Sequence, residues 1–215
     1  MSFLRAGRRH GIVNAPPGGA ALRALRSATR RRHDRVDALP SMRRLMARDY
    51  TTDEYARHLG LLFGFYEPFE AALTAAATEC LRPDVPRRSD LLARDLAALG
   101  ASEAAVAGLP RCTAVPRLRI ESVAGAYYVY EGASLGAQVI GERLQATLGP
   151  ANVGDFYRSN AAARRHRWDA FCETLEHVPE PAVAAVCACA VAVFRSFERW
   201  VGAAASVSNE LAERT

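Results

Sequence analysis

Wherever this 215-residue sequence shows a clear hydrophobic period, the period is helical. Leu22, Leu25, Thr29, His33 and Val36 share one stripe of residues 20–38, with arginines over the rest. From Thr52 onward, Tyr55, His58/Leu59, Leu62, Phe65/Tyr66, Phe69 and Leu73 recur at spacings of three and four. No run alternates in the period-two manner of a strand, and the chain is rich in Ala and poor in Ile. The expected fold is therefore all-α. At this length one well-buried, multi-helix domain is expected rather than two.

Punctuation places the boundaries. A first helix is expected over 20–38, stopped by Pro40, and a short second over 41–48. The third opens at Thr51/Thr52, where Thr51-x-x-Glu54 has the form of a capping box. The Pro- and Arg-rich residues 82–88 read as a loop, 89–99 as a helix and 100–116 as a mostly irregular connection. A long helix over 118–148 and two more over 155–177 and 181–204 complete the domain. Residues 1–19 read as a flexible lead-in, 20–204 as the domain and 205–215 as a frayed tail.

Composition narrows the function classes. The chain has 28 basic and 23 acidic residues, and every basic one is Arg. A formal charge of +5 without a recognition motif does not point to nucleic acid. Five cysteines (Cys80, Cys112, Cys172, Cys187 and Cys189) and no secretory leader suggest reduced thiols and a cytoplasmic protein. Cys187 and Cys189 fall on different faces of a helix, so they are poor joint ligands. The apolar run over 181–194 is short for a bilayer, so no membrane association is expected. No flavin, nicotinamide or phosphate-loop motif is present.

Two stretches carry chemistry. His33 lies within about 40° of Leu22, Arg26 and Thr29 on its helix. A histidine on such a stripe is commonly a satisfied core residue, yet an imidazole kept neutral by apolar neighbours is also a suitable iron ligand. Arg26, about two turns and roughly 10 Å earlier, reads either as a solvated residue or as a partner for a carboxylate. The second stretch runs Gly125-Ala-Tyr-Tyr-Val-Tyr-Glu-Gly132-Ala-Ser-Leu-Gly136-Ala-Gln-Val-Ile-Gly141. Each interior glycine costs a helix about 1 kcal/mol relative to Ala. Gly125, Gly132 and Gly136 lie within about 40° of one another, a strip free of side chains. Such a strip suits close helix packing, or a planar ligand laid against backbone, and it permits a kink.

Three segments in this order resemble the heme oxygenase family. They are Arg26-Ser-Ala-Thr29-Arg-Arg-Arg-His33-Asp-Arg-Val-Asp37, the aromatic helix from Thr52 to Leu73, and Tyr128-Val-Tyr-Glu-Gly132-Ala-Ser-Leu-Gly136-Ala-Gln138. The resemblance implies a helical bundle holding heme between a proximal helix and a kinked, Gly-rich distal helix. His33 would be the iron ligand. Arg26, Thr29, His33, Tyr127, Gly132, Gly136 and Arg165 would form the heme-binding set, with Gly132, Ser134 and Gly136 on the reacting side. On a straight helix Tyr127 sits about 140° from Gly132, so its part requires the kink. Animal-type members carry a distal Asp where this chain has Ala133. Gly-Ala-Ser-Leu-Gly is similar instead to the bacterial, phytochrome-associated branch, leaving Ser134 or backbone carbonyls to order distal water.

The implied reaction opens heme to biliverdin with release of carbon monoxide and ferrous iron. Heme is then both cofactor and substrate, and molecular oxygen is consumed. Electrons would come from a ferredoxin- or flavodoxin-type donor docked on the Arg-rich face of a monomer, and a bacteriophytochrome is one conceivable recipient of the product. The alternatives are a non-catalytic heme or bilin carrier on the same fold, a di-iron helical oxidase and a nucleic-acid-binding protein. A di-iron site wants Glu-x-x-His pairs, whereas Glu54 and His58 are four apart.

Overall fold

The computed structural model describes residues 19–76, 87–158 and 161–212. Among these, nine α-helices and no strands are present: α1 (Gly19–Ala38), α2 (Pro40–Arg44), α3 (Thr52–Ala76), α4 (Arg88–Ala98), α5 (Glu103–Ala107), α6 (Val123–Leu148), α7 (Asp155–Arg158), α8 (Ala161–Leu175) and α9 (Val183–Ala212). The fold is all-α, as the periodicity requires. The lead-in over 1–18 and most of the expected 82–88 loop lie outside the described residues.

Local chemistry explains most boundaries. The capping box forms: Glu54 N donates to Thr51 Oγ1 at 3.2 Å, and Thr51 N donates to Glu54 Oε2 at 2.8 Å. The connection over 100–116 is not wholly irregular, because Ser102 accepts a hydrogen bond from Ala105 N and starts α5. α6 begins at Val123 rather than 118, after a 3-10 turn, and ends before Gly149 at φ +86°. α9 continues to Ala212, past the point where fraying is expected, since Ala203-Ala204-Ala205 contains no helix breaker.

Pro68 lies inside α3, which nevertheless continues. A proline cannot donate to the carbonyl four residues back. That carbonyl, Gly64 O, instead accepts from Cys112 N at 2.8 Å. The 109–112 segment therefore completes the α3 ladder from outside.

Two apolar clusters flank α6. The larger joins the aromatic face of α3 to α4, α6 and α9 through Tyr55, Phe65, Phe69, Leu92, Tyr130 and Val193. The smaller joins α1, α8 and α9 through Leu22, Leu25, Trp168, Cys172, Leu175 and Val186. α9 packs on both α1 and α6. Its apolar stretch, Glu180–Ala203, is longer than the 181–194 run suggests, because Arg195, Glu198 and Arg199 interrupt it only briefly; by length and composition it suffices to cross a membrane. Within it Val186, Ala190, Val193, Ser196 and Val201 are buried against neighbouring helices, while most of the stretch is not buried.

Glu70 and His58, buried beside the larger cluster, are both paired. Glu70 is fully buried, and its carboxylate accepts from Arg88 N at 2.6 Å, Ser89 Oγ at 2.5 Å and Tyr130 OH at 2.6 Å. It thereby caps α4, whose own N-cap, Arg87, makes no side-chain cap bond. His58 Nε2 lies 2.7 Å from Tyr157 OH, and burial lowers its pKa from 6.5 to about 4. The unfolded chain therefore takes up a proton below pH 6.5 that the folded chain refuses until about pH 4. Stability should fall across that window by about 3 kcal/mol from this residue. Urea unfolding of wild type and His58→Gln at pH 7 and pH 4.5 checks this: the wild-type loss on acidification should exceed the variant's.

Candidate active site

α1 and α6 meet where Thr29 Oγ1 lies 3.3 Å from Tyr128 OH and 2.8 Å from Leu25 O. His33 follows one turn later on α1. Its ring lies against Phe194 of α9, centroids 6.1 Å apart at 64°. Its Nδ1 lies 3.3 Å from Asp37 Oδ2, one further turn along, and the side chain is 27% exposed. The ring is thus neither locked in the core nor free in solvent. An Nδ1–H given to a carboxylate fixes the tautomer and turns Nε2 into the lone-pair donor, the arrangement a metal-ligating histidine needs.

The α6 glycines divide into two kinds. A Cβ on Gly125 would run into Val186 O and lie 2.9 Å from Ala190 N of α9. One on Gly141 would lie 2.7 Å from Tyr157 O. These outer glycines admit close backbone approach. The inner pair does not: a Cβ on Gly132 would meet only the Trp168 ring, at 3.4 Å, and one on Gly136 would meet nothing within 4 Å. Further along, Arg143 Nε donates to Met46 O in the α2–α3 connection at 3.2 Å. α6 is thus bridged to α1 at Thr29–Tyr128 and to the α2–α3 connection at Met46–Arg143. His33 and the bare Gly132–Gly136 strip lie between these bridges in chain order.

This donor set fits a flat iron tetrapyrrole: one carboxylate-anchored imidazole on one helix, and backbone without side chains on the other. Among the described residues no three His, Cys, Asp or Glu side chains converge to hold a bare metal ion. Glu54 faces Arg44 at 2.7 Å while His58 faces Tyr157, so those two do not share a ligand.

The remaining expected site residues are distributed differently. Arg26 on α1 and Arg165 on α8 are exposed. Tyr127 is buried in the larger cluster, 6.4 Å from the Tyr130 ring. Ser134 is buried too, and its hydroxyl donates to Glu131 O at 2.5 Å. Both lie about 160–180° around α6 from the Gly132–Gly136 strip, and α6 is helical throughout, so the structure does not bring them to it. Arg164, next to Arg165, turns inward and donates to Ser134 O at 3.2 Å and Phe156 O at 3.0 Å. Asp37, Tyr128, Trp168 and Phe194 are neighbours of the site that pattern reading passed over. Only Asp37, at i+4 from His33, carried a local signal.

The family model described as heme oxygenase matches residues 20–203. A heme oxygenase structure from Leptospira interrogans superposes with a TM-score of 0.65 at 19% identity, covering 85% of this chain and 98% of that one. No curated protein matches the chain. A family match over most of the chain, on a fold that sets an anchored imidazole and a bare glycine strip on neighbouring helices, leads to one assignment: the chain belongs to the heme oxygenase family.

Proposed function

We propose that the chain is a biliverdin-producing heme oxygenase that consumes molecular oxygen and external electrons. The observation that carries this reading is His33 held by Asp37 on α1, with the bare Gly132–Gly136 strip on α6. Heme, when bound, supplies the redox chemistry at its iron and is itself the substrate. The protein supplies position. His33 Nε2 would hold the iron, with Asp37 Oδ2, 3.3 Å from Nδ1, orienting the ring. Phe194 sets the plane of the imidazole, and Trp168 walls the strip beside Gly132. Gly132 and Gly136 let the ring lie close to helix backbone. Arg26 and Arg165, both exposed, are placed to meet carboxylates at the solvent edge. The electron donor, a ferredoxin- or flavodoxin-type protein, docks on the arginine-rich outer face of α1.

A heme or bilin carrier is the second reading. It is favoured by Ala133, which offers no distal carboxylate, and by the engagement of the Ser134 hydroxyl within its own helix. One experiment separates the two. Hemin is titrated into the protein, then ascorbate or a ferredoxin couple is supplied in air. A sharpened Soret band that gives way to a biliverdin spectrum with carbon monoxide release supports the enzyme. A stable Soret band under reductant and oxygen means the carrier.

A further inference from the structure

The glycine strip on α6 is walled at one end and open at the other. A Cβ on Gly132 would lie 3.4 Å from Trp168 Cζ3 and 3.8 Å from its Cη2, whereas one on Gly136 would meet nothing within 4 Å. The two atoms over Gly132 belong to the six-membered half of the indole. Trp168 is 8% exposed and packs in the smaller apolar cluster with Leu22 and Leu25 of α1. Its ring lies against Tyr128, centroids 5.9 Å apart, and against Phe171, 6.0 Å apart.

Tyr128 carries this wall across to α1, since its OH lies 3.3 Å from Thr29 Oγ1. On α6, Tyr128, Gly132 and Gly136 fall within about 80° of one another, so the wall and the open glycine share a face. α8 is fixed at the same level: Arg167 Nε lies 3.6 Å from Glu131 Oε2, one residue before the Trp168–Gly132 contact on each helix. A large side chain packed against three helices cannot turn aside without opening a cavity, which a close-packed interior resists.

We propose that Trp168 is the specificity-determining residue of the site. It stops the tetrapyrrole at the Gly132 end of the strip and, by its bulk against one edge of the ring, fixes the ring's rotation about the iron. The inference rests on the heme-binding reading above and deepens it. An axial imidazole such as His33 sets the position of the iron, but a planar ring can still turn about that single bond. Only a barrier met by the rim of the ring distinguishes its four meso carbons, and Trp168 supplies one.

The chain has two tryptophans, and Trp200 is the internal control: its Nε1 donates to Leu61 O of α3 at 2.8 Å. With both labelled as fluorotryptophan, ferric hemin should broaden and shift the fluorine NMR line of Trp168 far more than that of Trp200, because paramagnetic relaxation falls steeply with distance. Trp168→Phe keeps an aromatic ring beside Tyr128 and Phe171 but withdraws the atoms over Gly132. Hemin should still bind, and the heme methyl resonances of the cyanide-ligated ferric complex, whose order reports the ring's rotation, should change. The ratio of biliverdin isomers should shift about tenfold, the low end of what one missing apolar group does to discrimination. Equal fluorine effects on the two tryptophans, or a wild-type methyl pattern in Trp168→Phe, overturn the proposal. Should Trp168→Phe fail to fold, the fluorine comparison in the wild-type sequence decides alone. Failure of the wild-type protein to bind hemin would instead overturn the heme-binding reading itself.

Discussion

His33→Ala is expected to leave a folded protein whose hemin complex lacks the axial-histidine absorption signature and forms no biliverdin. The imidazole is partly exposed and touches the core chiefly through the Phe194 ring, so its removal should cost little stability. The ligand contribution, in contrast, is lost outright. Asp37→Asn provides the graded counterpart, because it weakens the anchor on Nδ1 while leaving Nε2 in place. An outer-shell change of this kind costs about 10–100-fold in metal affinity. Free imidazole added to the His33→Ala protein should restore the ferric spectrum, which separates ligand loss from misfolding. A normal Soret spectrum with continued biliverdin formation in His33→Ala would remove the basis of the site.

Two glycines on one face of α6 should respond oppositely to the same substitution. At Gly125 the new methyl group is driven into Val186 O and Ala190 N, both backbone atoms of α9. Backbone cannot rotate away, so α6 and α9 must separate along a major contact of the fold. Overpacking of this sort costs about 1–3 kcal/mol, and the clash with backbone puts Gly125→Ala at the upper end or beyond it. At Gly136 nothing stands within 4 Å of the new atom. Gly136→Ala should therefore gain about 0.5–1 kcal/mol from helix propensity. Its cost appears in hemin affinity and product pattern, because a methyl group now occupies the bare strip. Urea unfolding of the two apo-proteins checks the signs, and destabilisation of similar size in both would show that the strip is packing surface throughout.

That contrast also marks how far sequence reading reaches. Helical period is written in neighbours three and four residues apart, so α1, α3, α4, α6 and α9 were legible, as was the Thr51/Glu54 capping box. The three-segment likeness carried the family, and the stripe position of His33 carried its candidacy as ligand. The α6 glycines announced an unusual face but not what meets it. Gly125 serves α9 while Gly136 serves open space, and nothing within a turn of either distinguishes them.

The same limit governs Tyr127 and Ser134. A linear motif holds them beside Gly132, but an unbroken helix turns them into the core. It governs Pro68 too, whose unpaired carbonyl partner is rescued by a segment more than a helix away in sequence. Residue order and spacing were enough to establish the main helices and the side chains capable of iron chemistry, but not the start of α6, the short α5 or the division of the expected 155–177 helix into α7 and α8. Which side chains face one another was settled only by packing, in the meeting of His33 with Phe194, of Glu131 with Arg167 and of Glu70 with the start of α4. Helix formation depends on contacts within one turn, whereas those pairings depend on how whole helices bury their stripes against each other, a free energy shared over the entire core.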